Sequence, residues 1–333
     1  RCSMKIRSDL LKKNMVLVLL IALIVYFSIF ANNFLSVNNI TNLLRQTSVI
    51  GIMCVGFSLV MIAGGLDLSV SSVISLVGCV TAILIVNLGV PVVPACIVGV
   101  LTAVLVSAIN AGLILSTGMP PMICTLAMQQ VLQGFVYIMT DATPVYGLPE
   151  SLRFLGQGYV WIIPVPVIIM AVCFAIGGFI MKKTYIGRYF YAVGCNPEAS
   201  RLAGLRVKLI QLISYLIDGL FCGIAGLVMM SRIFSGQPKA GTGYEMDVIT
   251  ACVVGGIAFS GGKGTLLGLI EGVIVMGVLT NGLGVQGVDS YTQLVFKGVV
   301  LILVVGIDSF EQNRAKKARM KIKATEENTA QSK

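Results

Sequence analysis

The chain has 333 residues, 56% of them hydrophobic and only 11% charged, with a formal net charge of +10. A soluble domain carries about 25% charged residues, so this chain cannot cover a water-facing surface, and its solvent is largely lipid. It contains no histidine, which removes His-based metal sites, Ser-His triads and histidine proton relays; no catalytic constellation and no metal-ligand set stands out.

Apolar runs of roughly bilayer-spanning length predict an all-α polytopic membrane protein with about ten segments. They cover 15–31, 47–63, 69–87, 92–114, 122–139, 160–181, 208–231, 247–259, 265–282 and 290–307. The first follows Lys5, Arg7, Lys12 and Lys13 and ends in the bulky Phe27, Ile29 and Phe30, so an uncleaved anchor is expected rather than a signal peptide. Arg1 stands first, and Met4 is a candidate initiator. The chain thus divides into an N-terminal tail (1–14), a transmembrane domain (15–307) and a basic C-terminal tail (308–333). Most of the nine cysteines, including Cys54, Cys79, Cys124, Cys222 and Cys252, lie in apolar runs where cysteine acts as a small hydrophobe.

Charge sets the expected orientation. With the N-terminus inside, the two tails, the 182–208 loop and Lys263 hold 19 of the 24 Lys and Arg residues. That bias predicts both termini in the cytoplasm. The net charge then reflects loops beside an anionic leaflet, and no nucleic acid is implied.

The 182–208 connection, "KKTYIGRYFYAVGCNPEASRLAGLRVK", is longer than a turn between antiparallel spans requires. Inside it, "CNPEASRLAG" carries a full set of helix punctuation. Asn196 can cap, Pro197 suits the first helical position, and Glu198 complements the dipole. Arg201 falls near the end, and Gly204 can adopt the left-handed stop. The segment reads either as a solvated connector or as a rigid helix that transmits force from a partner.

Three further stretches interrupt the apolar pattern. In "GGLDLSVSS" (64–72), Asp67 and Ser69 are placed to cap the following helix, or to serve a pathway. "GTGYEMDVITACVVGGIAFSGGKGTLLG" (241–268) contains "SGGKGT", but the phosphate-loop spacing fails: position 257 is Ile, and Lys263 is followed by Gly264. "NGLGVQGVDSYTQLVFKGVV" (281–300) enters a span carrying Gln293 and Lys297. Asp218 and Glu271 also fall within spans. Ionisable groups there cost at least roughly 2.5–3.5 kcal/mol each, so they face protein or water. The expectation is that Lys297 pairs with either Asp218 or Glu271, and that the other acid is protonated or faces an aqueous path.

The phrases "GGLDLSVSS", "IGRYFYAVGCNPEASRLAGL", "GTGYEMDVITACVVGG", "SGGKGT" and "NGLGVQGVDSYTQ" occur in order and span nearly the entire chain. Together they resemble the permease subunits of ribose-type ATP-binding-cassette importers. The resemblance implies a permease fold, paired with a second permease copy and served by a cytoplasmic ATPase that binds ATP and Mg; this chain itself holds no cofactor. It also implies an extracytoplasmic sugar-binding protein. Gly187, Arg188, Asn196, Pro197, Glu198, Arg201 and Gly204 then belong to a coupling helix that enters a groove of the ATPase. Ser71 departs from the family's usual glycine, and Asp218 and Glu271 depart from its small or weakly polar residues.

The reading is a monosaccharide importer permease working by alternating access, for a ribose-like pentose or a hexose. A nucleoside, a branched-chain amino acid or an autoinducer sugar is the alternative substrate. A membrane-embedded lipid enzyme would need clustered nucleophile, acid and base at one depth, and the acids are scattered. An ion-coupled secondary transporter would require Asp218 and Glu271 to titrate with transport.

Overall fold

The computed structural model describes residues 2–306, with side chains from residue 16 onward. The basic tail 308–333 and the side chains of segment 1–14 lie outside the described residues. Among the described residues the chain forms α1 (Cys2–Phe30), α2 (Val37–Ile62), α3 (Val70–Val86), α4 (Val92–Thr117), α5 (Pro121–Thr140) and α6 (Glu150–Gln157). A two-stranded hairpin follows, β1 (Tyr159–Val160) and β2 (Ile163–Pro164). Then come α7 (Val165–Lys183), α8 (Tyr185–Cys195), α9 (Pro197–Leu202), α10 (Val207–Ile233), α11 (Tyr244–Val254), α12 (Leu266–Val285) and α13 (Ser290–Gly306).

Six of these, α2, α4, α5, α7, α10 and α12, are long and apolar enough to cross a membrane. The apolar stretch Val16–Phe30 of α1, together with α3 and α13, is shorter. Helix α11 has 11 residues and rises about 16 Å, roughly half a hydrocarbon core. Each predicted segment contains a helix, but several boundaries move. Helix α2 starts ten residues before the predicted 47, because Ser36 caps it by accepting from Asn39 N at 3.2 Å. The predicted 160–181 segment begins as the hairpin, and the helix starts only at Val165, after Pro164. Helix α11 stops at Val254, not 259. Helix α6 was not anticipated, and the single coupling helix expected to hold Gly187, Arg188 and Asn196 to Gly204 is two helices, α8 and α9, broken where Asn196 is extended ahead of Pro197.

Helices α2 and α10 form the centre. Every residue of α2 from Thr47 to Ile62 is buried, and α10 packs against α2, α3 and α4. Close approach depends on small residues. A Cβ on Gly223 of α10 would lie 3.0 Å from Val100 Cα, and one on Gly219 would lie 2.9 Å from Ala103 O, both on α4. Such small-residue seams let backbones meet where lipid supplies no hydrophobic drive. The other face of α4 is an exposed i, i+4 stripe of Ile97, Leu101, Leu105, Ile109 and Leu113, as suits a helix solvated by acyl chains. At the rim, Asn39 and Asn281 exchange amide hydrogen bonds of 2.9 and 3.0 Å, tying α2 to α12.

The connections segregate to two ends. At one, Gly262 N donates to Ile62 O at 2.9 Å, joining the α11–α12 connection to the end of α2. The α4–α5 turn shares a cleft there with Gly64, Pro197 and Lys208. At the other end, Val145 bridges to Gly236, and Gln157 Nε2 donates to Arg232 O at 2.9 Å.

Helix α13 begins at an acid cap. Asp289 accepts from Tyr291 N (3.0 Å), Thr292 N (2.9 Å) and the Thr292 hydroxyl (2.6 Å). The hydrogen bonds from Thr292, side chain first, hold its carboxyl below the usual carboxylate range. A depressed folded-state pKa means the cap contributes fully above the ordinary carboxylate value and is lost as pH falls through the lowered one. The protection factors of the Tyr291 and Thr292 amides, taken against the intrinsic exchange rate at each pH, should therefore fall on acidification, and Asp289→Ala should show the lower protection already at neutral pH.

Candidate functional site

The connection Ala63–Ser69 between α2 and α3 runs irregularly through the interior, where each unpaired backbone group costs several kcal/mol. Side chains from two helices and Asp67 itself pair with its backbone, and a third helix braces its side chains. The Tyr215 hydroxyl of α10 accepts from Leu66 N (3.3 Å) and donates to Leu66 O (3.1 Å). Thr125 of α5 accepts from Leu68 N at 3.1 Å. Asn110 of α4 donates to Ser69 Oγ at 2.8 Å and, at 3.4 Å, to Asp67.

Asp67 and Ser69 do not cap α3 as expected. Ser69 occupies the cap position in helical conformation and makes no side-chain cap bond. Its N–H and hydroxyl both donate to Asp67 Oδ1, at 2.9 and 2.6 Å. The carboxylate closes a local turn on Ser69 instead, where Asn110 and the serine hydroxyl also bind it. The hydroxyls of α3 are used across the bundle: Ser71 accepts from Gln129 Nε2 (3.0 Å) and Ser75 from Gly241 N (3.0 Å). Ser71 thus fills its place with a hydrogen bond that glycine would lack.

Asp218 is fully buried on α10, against Gly56 of α2. Its Oδ1 accepts only the Cys222 thiol, at 3.6 Å, and its Oδ2 has no partner; Asn110 Oδ1 is likewise unpartnered. Lys297 is far from the pairing expected for it. It binds Asp247 Oδ2 of α11 at 2.7 Å, and neither Asp218 nor Glu271. The reason is positional: α11 starts at Tyr244, so Asp247 lies within its first turn, buried and facing α13, not at a span edge. Glu271 is half-buried on α12, and Gln293 turns back to donate to Val288 O at 2.8 Å, at the start of α13. The structure therefore gathers Asp67, Ser69 and Asp218 near Asn110 and Tyr215, and leaves Glu271, Gln293 and Lys297 elsewhere. Asn110, Thr125 and Tyr215 were missed, since single polar residues in apolar runs carry little sequence signal.

The second site is the helix pair after α7. Thr184 caps α8 by accepting from Gly187 N at 3.1 Å, and the Arg188 guanidinium lies 4.6 Å from the Tyr185 ring centroid. Asn196 caps α9, accepting from Ala199 N at 3.0 Å, with Pro197 in its first turn. At the far end Leu205 N donates to Ser200 O and Gly204 N to Arg201 O, both at 3.0 Å. This is the Schellman closure, with Gly204 at φ +86°. Glu198 and Arg201 pair at 2.9 Å on the surface, and Leu202 is 83% exposed. In α9 only Ser200 is buried. An open cleft of about 610 Å³ beside it is lined by Ser116, Thr117, Arg201, Lys208 and Gln211 among others.

The base of this pair is welded to the interior. A Cβ on Gly194 would overlap Ile62 O, and Gly261 packs 3.0 Å from Gly64 Cα measured from its own would-be Cβ. Cys195 Sγ donates to Gly262 O (3.4 Å), and the Tyr191 hydroxyl to Gly264 O (2.9 Å). The glycines of "SGGKGT" therefore serve backbone-to-backbone packing of three connections.

The sequence that builds this bundle is similar to known transport proteins. Residues 39–305 match the family described as branched-chain amino acid transport system / permease component. The ribose import permease protein RbsC of Escherichia coli strain K12 is 38% identical over 300 residues, covering 89% of this chain and 93% of that protein. RbsC of Bacillus subtilis strain 168 is 40% identical over 291 residues (87% and 90%). The D-allose transport system permease protein AlsC of E. coli K12 is 34% identical over 292 residues (87% and 89%). No solved structure matches. The chain is a membrane transport subunit and not an enzyme. It belongs to the permease family of ATP-binding-cassette importers, as a multi-pass protein of the bacterial cytoplasmic membrane.

The Lys297–Asp247 pair is mostly buried, and stripping one partner from such a pair costs about 3–5 kcal/mol. Lys297→Met should lower the thermal midpoint in detergent, and adding Asp247→Asn should restore most of it. A cycle pairing Lys297→Met with Asp218→Asn should show no coupling.

Proposed function

We propose that this permease imports a monosaccharide, a ribose-like pentose or a hexose, by alternating access. The names of its relatives, ribose and D-allose permeases, support the substrate class. Ten membrane segments place both termini and residues 182–208 in the cytoplasm. The separation of the connections supports this threading: those predicted inside meet at Gly64, Gly194 and Gly262, and those predicted outside meet at Val145, Gln157 and Gly236. Two permease copies form the path. A binding protein delivers sugar from outside, and a cytoplasmic ATPase, which holds ATP and Mg, docks on α8 and α9.

The observation that carries this reading is the contact of Gly194 with Ile62 O. It places the last turn of α8 directly against the chain that leads into the Asp67 break. A push on α9 passes through α8 to residues 62–65 and, through Gly262, to the connection after α11. Both discontinuous segments then shift relative to the continuous helices, which is how irregular backbone at membrane depth gates a path. The unpartnered Asp218 Oδ2 and Asn110 Oδ1 are acceptors, suited to the hydroxyl donors of a sugar.

The test is uptake of labelled ribose, allose and xylose into proteoliposomes with ATPase and binding protein supplied. Surface pairs such as Glu198–Arg201 contribute about 0–1 kcal/mol to stability. Glu198→Lys and Arg201→Glu should therefore leave the fold intact while reducing sugar-stimulated ATP hydrolysis. Asn196→Ala should weaken α9 by about 0.5–2 kcal/mol and reduce coupling in parallel. Gly194→Ala should preserve ATPase binding but uncouple hydrolysis from uptake. Normal coupling in all four variants would reduce α9 to a connector.

A further inference from the structure

The hairpin Tyr159–Pro164 places Trp161, 92% exposed, and Ile162, 75% exposed, at its tip. Trp161 has φ +59°, a left-handed conformation that asparagine or glycine takes more easily in a two-residue hairpin turn. A bulky apolar residue is kept in a strained turn that holds it away from the protein. Tyr159, Val160 and Ile163 are also about half exposed.

Two independent rulers set the depth of this tip. Helix α7 begins immediately after the hairpin and ends at Lys182 and Lys183; its 19 residues rise about 28 Å, close to the roughly 30 Å hydrocarbon core. Helix α2 has one charged residue, Arg45, whose guanidinium lies 4.6 Å from the Tyr159 ring centroid and donates to Gln157 O at 2.6 Å. From Arg45 to the helix end at Ile62 is about 26 Å of uncharged helix. Both measurements bring the hairpin to the boundary of the hydrocarbon, at the end opposite α8 and α9. The sequence agrees, since no charged residue occurs from Tyr159 to Met181. The backbone is prepared for a dry setting as well: Val160 pairs with Ile163, and Val165 N donates to Gly158 O at 3.0 Å.

We propose that the tip of this hairpin inserts into the headgroup–acyl boundary of the bilayer and anchors the N-terminal end of α7 at a fixed depth, with Arg45 holding it from the protein side. Trp and Tyr prefer this layer because one end of each ring system is apolar and the other hydrogen-bonds to water or headgroups. The occupant of the exposed apolar tip is lipid.

Trp161 is the single tryptophan of the chain, so intrinsic emission reports on this residue alone. The full-length protein is reconstituted into phosphatidylcholine nanodiscs with and without lipids brominated high or deep on the acyl chain. Shallow bromines should quench the emission by more than about twofold, deep bromines less, and aqueous iodide only weakly. The paired variant Trp161→Asn with Ile162→Trp keeps a turn-compatible residue and moves the reporter by one position; it should give the same depth profile. Strong iodide quenching without bromolipid quenching would overturn the proposal, exposing the tip to water and to soluble partners. Protection from both quenchers would overturn it in favour of burial against a second copy of the chain. Neither outcome bears on sugar uptake, so this test stands apart from that of the transport reading.

Discussion

A backbone inside a bilayer has no water to bond with, and every irregular stretch must find its partners within the protein. This constraint explains where the polar residues of this permease sit. In the break at Ala63–Ser69, Tyr215 and Thr125 reach in from two helices to hold the backbone of Leu66 and Leu68, while Asp67 holds the Ser69 N–H and Asn110 braces the Ser69 hydroxyl. The second break, after α11, is handled by a different device. There the chain folds on itself through Ala258 N to Lys263 O (3.1 Å) and is clasped by Ile62, Tyr191 and Cys195. One break is solved with side chains and the other mostly with backbone, which is why the second is so rich in glycine.

The two solutions meet. Gly64 borders the side-chain-supported break, Gly261 and Gly262 the backbone-supported one, and Gly194 ends α8 between them. Methyl-free backbones packed this tightly leave little room to slide independently, so the three connections behave as one piece. The helix beyond, α9, is stiffened at both ends by its asparagine cap and Schellman closure. Rigid handle, tight weld and polar break form a continuous chain of contacts from the surface to the membrane interior.

Much of this was legible in sequence where the determinants are local. Asn196, Pro197, Glu198 and Gly204 lie within about two helical turns of each other, so their order specified α9 and its ends. Helix α6 carries a weaker local cue, Glu150 in its first turn behind Pro149 with no side-chain cap. The hairpin was hidden because "YVWIIPVPV" is a short apolar run, and such runs do not reveal their period. Depth was harder still. Asp247 stood at the edge of a span drawn from hydropathy, so its pairing with Lys297 fifty positions away followed only once α11 was seen to start at Tyr244. Partner choice among buried charges is tertiary information, and neither composition nor spacing contains it.

That ion pair also bears on how the protein is made. Asp247 and Lys297 are separated by 50 positions, and α13 is the last helix among the described residues. At synthesis rates of about 5–20 residues per second, the lysine emerges several seconds after the acid. During that interval α11 carries a carboxylate with no cation to meet it, in a helix too short to span alone. Its final seating therefore waits for α13: a helix made later completes the burial of one made earlier, and this step of assembly runs backwards along the chain.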